Sequence, residues 1–340
     1  MHEIHRRILE INSARSALFV ADEPARTRYR ARHPTYLGAV KCMDGRVLFP
    51  VLTKTPLGIV YPYRAIGGRP EVWWPSFLGR VRAFVEQAMR DGQRAVAFLT
   101  YHHSESDPHL GCAGWEFHTD AARAHADRLA ADLSGVFGDA LVPIVANVET
   151  DRDVLTLHGP SGDVSGEAVI GLDDDGISAA IGGAFPTIDP GVRRDLVPLL
   201  RGNALRVEEL RGEPKDLDAK AHHERILAVG QGFDWLYQEN LALIINDADP
   251  GLAASIAVAA AILRKNLESA PADEEFTILT CVPYQAPGID HRQAVARARG
   301  LRDFASEVVR RSEPELASCP RFHALAGVVW APAKRFEPIL

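Results

Sequence analysis

Strand-length apolar runs alternate with stretches of helical period along most of the chain, and the alternation occurs twice in the same order. LGAVKC and GIVYPYRAI read as buried strands. Ser76 to Met89, SFLGRVRAFVEQAM, carries apolar residues at helical spacing. RAVAFLTYHH is a third strand, followed by the polar loop SESDPHLGCAGWEFHT, a helix over Ala121 to Phe137, and the strand–turn–strand of LVPIVANVETDRDVLTLHG. The second series runs ERILAVGQGFDWL, NLALIIND, a helix over Ala253 to Asn266, FTILTCVPY, a helix through Val309 and the strand HALAGVVWAP. Such alternation predicts an α/β fold with a mostly parallel sheet.

The two series align. VKCMDGRVL matches AVGQGFDWL, PLGIVYPY matches NLALIIND, and AFLTYHH matches TILTCVP. The expectation is an internal duplication, one half forming a pseudo-dimer with the other. The divisions that follow are a helical, arginine-rich arm over 1–35, a first domain over 36–160, an irregular connecting segment over 161–220 and a second domain over 221–340. At 340 residues the chain is long enough for each domain to bury its own core.

Bulk properties exclude several classes. The net charge of −7 offers no footprint for nucleic acid. The longest apolar run of the N-terminus, SALFV, is too short for a signal peptide, and no segment approaches the ~18 apolar residues of a membrane span. Four cysteines in so long a chain are not a disulfide framework, so a soluble, reducing setting is expected.

One cysteine stands out. In KCMDGR, Cys42, Asp44 and Arg46 occupy alternate positions and would share a face if the strand continued. A free cysteine is ordinarily a small buried apolar residue. Here a histidine at the end of the next long strand and Cys112 beyond it complete a set of two thiolates and one imidazole. That set leaves one position of a tetrahedral zinc open, as catalytic sites do. Arg46 would hold Asp44 ionised and oriented.

Cys-x-Asp-x-Arg followed by a histidine and a second cysteine resembles the β-class carbonic anhydrases, and PLGIVYPYRAIGG resembles the strand between those motifs. In most of that class the histidine lies three residues before the second cysteine, which would be His109. TYHHSESDPHLGCAG instead resembles the longer loop of the carboxysome shell carbonic anhydrases, as do HHERILAVGQGFDWLYQENL and NVETDRDVLTLHGPSGD. The resemblance implies Zn2+ held by Cys42, His102 and Cys112, with His109 as the alternative ligand, and Asp44 and Arg46 as catalytic residues. It implies a lyase (carbonate dehydratase) in which zinc-bound hydroxide hydrates carbon dioxide reversibly to bicarbonate, in a homodimer. It also implies a β-carbonic-anhydrase-like sheet with a degenerate second copy. Only about 40 residues precede Cys42, where that family carries a longer region with a partner-engaging segment. The expected location is the cytoplasm, with a carboxysome and its components as the alternative setting. Rival readings keep the zinc and change its use: a hydrolase for another small CO2-like molecule, or a non-catalytic zinc- or bicarbonate-binding component of an assembly.

In the second copy Gly230, Gly232 and Asp234 stand where Cys42, Asp44 and Arg46 do, and Val282 replaces His102, so no metal is expected there. GQGFDW lacks the third glycine of a dinucleotide loop. His103 and His109 are candidate proton relays or plain loop histidines. His222–His223 reads as surface, the DDDG run at 173–176 as a solvated turn rather than a calcium loop, and Cys281 and Cys319 as ordinary free thiols. Trp73–Trp74 fits an interface or a core.

Overall fold

Runs such as YLGAVKC and AVAFLTYHH are apolar at consecutive positions, the pattern of strands covered on both faces of a parallel sheet. The computed structural model describes residues 1–216 and 221–339, and the last four residues of the expected connecting segment lie outside them. The chain divides into two compact units: residues 24–42 with 46–221, and residues 1–23 with 43–45 and 222–340. The architecture is α/β with two mostly parallel sheets.

The first unit contains β1 (Tyr36–Cys42), β2 (Val60–Ala65), β3 (Ala95–His103), β4 (Leu141–Glu149), β5 (Val154–Gly159) and β6 (Gly162–Ser165), in the order β2-β1-β3-β4-β5-β6. The pairs β1–β2, β1–β3 and β3–β4 are parallel, and β4–β5–β6 is an antiparallel meander. Leu37, Ala39, Val96, Phe98, Ile144 and Ala146 alternate along their strands to build one core face.

The second unit contains β7 (Ile226–Gly230), β8 (Ala242–Ile245), β9 (Phe276–Tyr284), β10 (Phe322–Trp330) and β11 (Arg335–Ile339), ordered β11-β10-β9-β7-β8. All its pairings are parallel except β10–β11. In chain order the first five strands of each unit therefore take the same places. The helix α1 (Glu3–Ala21) buries Ile4 and Ile8 in this unit's core beside Trp235 and Leu279. α1 and α2 (Glu23–Arg32) fill most of residues 1–35, but α1 is a core element of the second unit. Residues 24–35, with most of α2, belong to the first.

The segment expected to be irregular is not. After α3 (Phe49–Leu52), α4 (Pro75–Arg90) and α5 (Thr119–Phe137) come α6 (Asp174–Ala184) and the 23-residue α7 (Pro190–Gly212). The glycines, prolines and aspartates that read as breakers are start signals here. Asp173 accepts from the N–H of Gly176 to cap α6, and Asp189 accepts from Gly191 and Val192 ahead of Pro190 to start α7. The DDDG run is therefore the first turn of a helix. Among the described residues, no helix is long and apolar enough to cross a membrane.

Candidate metal centre

β1 ends at Cys42, and the chain bends and turns through residues 43–46. Strand alternation therefore does not extend to Asp44 and Arg46, because the strand stops at Cys42. Cys42, at the C-terminal edge of the parallel sheet, instead meets residues from β3 and the loop after it. A sulfur of Cys42, a ring nitrogen of His102 and the sulfur of Cys112 all lie within 4.8 Å of one another, and all three residues are buried. The two sulfurs are 3.6 Å apart and form no disulfide. Tetrahedral zinc with ~2.3 Å bonds to sulfur needs a separation of about 3.8 Å, so the donor set and its spacing fit that ion.

The loop carrying Cys112 is fastened at several points. Asp151 accepts from the Ser104 hydroxyl at 2.9 and 3.0 Å and from the Ser106 N–H at 2.7 Å. The Asp107 side chain caps the turn Pro108–Leu110 by accepting from the His109 N–H at 2.8 Å. Arg46, only 1% exposed, donates to the Leu110 carbonyl at 2.7 Å, two residues before Cys112. Trp115 donates from its indole to the Gly67 carbonyl at 2.8 Å. Gly68 adopts φ +59°, and a Cβ there would sit 2.9 Å from the Thr100 carbonyl and 3.5 Å from the Cys42 nitrogen. Only glycine allows this turn to pass so close to both strand ends.

His109 is exposed, edge-on to Phe117, and is not part of the Cys42–His102–Cys112 cluster. His103 bonds through Nδ1 to Asn147 Oδ1 at 3.1 Å. Burial pushes His125, whose ring tilts against Trp115, below histidine's ordinary range, and burial raises Glu149 at the end of β4.

Asp44 belongs to the second unit's set of residues, where it joins a second buried group. His222 places Nδ1 3.0 Å from Glu224 and Nε2 3.8 Å from Asp44, and Glu224 accepts from the Gly45 N–H at 3.2 Å. An imidazole set between two carboxylates is fixed in orientation by both. His222 is mostly buried, not a surface residue as its sequence setting implied. Its partner Glu224 was not foreseen, although His-x-Glu in an extended segment puts both side chains on one side.

Gly230, which the sequence alignment sets against Cys42, has φ +125°, and a Cβ would lie 2.1 Å from the Cys281 carbonyl oxygen, so no ligand side chain fits there. Asp234 is bound to Lys334 at 2.6 Å. Cys281 is fully buried, which raises its thiol well above the ordinary range, and Cys319 is partly exposed. Trp73 is exposed.

No protein-family model matches the chain, and no curated protein matches it.

Proposed function

We propose that the protein is a zinc-dependent carbonic anhydrase of the β class, interconverting carbon dioxide and bicarbonate. One observation carries the reading: two buried thiols and a buried imidazole converge at the end of a parallel sheet, from positions that resemble the long-loop pattern of the carboxysome shell carbonic anhydrases. Zinc held there would act as a Lewis acid, bringing the pKa of a water in its open position to about 7. Cys42 and Cys112 supply the negative charge that retains the cation, and His102 is fixed by the rigid end of β3. Arg46 secures the Cys112 loop through the Leu110 carbonyl. In this proposal Asp44 orients the attacking nucleophile by accepting its hydrogen bond.

The matching strand orders of the two sheets support an internal duplication, with the second copy deprived of metal by Gly230. Homodimer formation and a cytoplasmic or carboxysomal setting belong to the same proposal. The test is zinc content with stopped-flow carbon dioxide hydration, on wild type, His102→Ala and His109→Ala. Hydration should fall more than about 100-fold in His102→Ala, with loss of the tightly held zinc, and persist in His109→Ala. A zinc-loaded but inactive wild type would refute catalysis and leave a binding component.

A further inference from the structure

The second unit holds another group of metal-type donors, far from Cys42 in sequence and made of different chemistry. Glu275 stands just ahead of β9, His323 is the second residue of β10, and His2 precedes α1. One donor atom from each lies within 4.8 Å of the others. Glu275 Oε1 is 3.3 Å from His323 Nε2 and 3.7 Å from His2 Nδ1. A tetrahedral zinc with bonds of about 2.0–2.1 Å spaces its ligands by about 3.3 Å, so one edge is already set and the other is a few tenths of an ångström long. His2 is half exposed at 51%, free to make that adjustment by a small rotation.

Three features hold these groups side by side. The other oxygen of Glu275 accepts from the Ile4 N–H at 3.0 Å, which fixes the carboxylate plane. His323 Nε2 is buried beside the Glu275 carboxylate. The rings of His2 and His323 stack with centroids 3.5 Å apart, while His5, anchored to Thr277 Oγ1 at 3.1 Å, closes one side edge-on to His2. We propose that His2, Glu275 and His323 form a second metal site, for a divalent transition cation of the zinc, cobalt or nickel kind. Two imidazoles and one carboxylate suit those borderline ions, whereas calcium and magnesium call for oxygen donors throughout. Occupied, the site ties the start of α1 to the edge where β9 and β10 begin. It does not depend on the activity proposed above.

The probe is cobalt(II), titrated into the tag-free, chelator-treated full chain and followed by near-ultraviolet and visible absorption. Wild type should take up two equivalents, the first with an intense thiolate-to-cobalt charge-transfer band and the second without one. His2→Ala removes an exposed side chain, so the fold persists. It should weaken the second equivalent at least tenfold while keeping the charge-transfer band, and His323→Ala should do the same. Cys42→Ser with Cys112→Ser should abolish the band and leave the other equivalent, so each site fails separately. A single equivalent in wild type, or a second equivalent unchanged in both histidine variants, would overturn the proposal.

Discussion

A Cβ on Gly114 would sit 2.6 Å from the backbone nitrogen of Gly67 and 2.9 Å from its Cα. Backbone atoms cannot swing aside as a side-chain tip can, so the turn Ala113–Trp115 must move instead. That turn follows Cys112 directly, and Trp115 is pinned to the Gly67 carbonyl. Gly114→Ala should therefore cost about 1–3 kcal/mol by overpacking. Because the displaced turn follows Cys112, affinity for metal at the proposed zinc site should fall as well. Urea midpoints on chelated protein report the first effect, and competition with a chromogenic chelator reports the second. An unchanged midpoint would mean that the turn yields freely. Nothing in the local sequence GCAGW marks Gly114 as different from Gly111, since the constraint comes from a backbone 47 residues away.

The long helix α7 is held at its centre by one buried amide. Asn203 donates to the carbonyls of Leu52 at 2.9 Å and Asp153 at 2.7 Å, and accepts from the Leu155 N–H at 2.8 Å. One side chain thus satisfies the end of α3, the β4–β5 turn and the start of β5. Asn203→Ala would leave three buried backbone groups short of a partner, each worth about 1–3 kcal/mol. The expected loss is about 3–5 kcal/mol, read as a shift of the urea midpoint with little change in slope. A loss below about 1 kcal/mol would mean that water replaces the amide. This element was illegible in the sequence for a physical reason. Its core face interleaves Asp195, Gly202 and Asn203 with Leu196, Leu199 and Leu200, so the apolar period is broken by residues that serve its neighbours. A Cβ on Gly202 would lie 1.9 Å from the Thr53 carbonyl, which is why a glycine interrupts a helix there. The strands β1, β3, β4 and β9 were legible because burial on both faces leaves an unbroken apolar run. Cys42 and Cys112 could be paired by family spacing alone. The link from His222 to Asp44 could not, because it joins side chains 178 positions apart.

At the scale of the whole chain, the two proposed metal sites fall in different units, the one with Cys42, His102 and Cys112 in the unit built on β1–β6 and the one with His2, Glu275 and His323 in the unit built on β7–β11. A ligand that binds only the folded form stabilises it by about 2.7 kcal/mol at 100 times its Kd, a factor of about 100 in the opening equilibrium. Opening is local as well as global, so that protection reaches the amides whose exposure requires breaking the occupied site. Two thiolates hold zinc more tightly than two imidazoles and a carboxylate, so the first equivalent should act on the first unit. Hydrogen exchange should then slow up to about 100-fold at the ends of β1 and β3 and through residues 104–115. A second equivalent should slow residues 3–8, 275–277 and 322–325. Cys112→Ser should erase the first response alone, and His323→Ala the second alone. If one equivalent slows every strand alike, the chain opens as one cooperative body, and the division into two units has no thermodynamic counterpart.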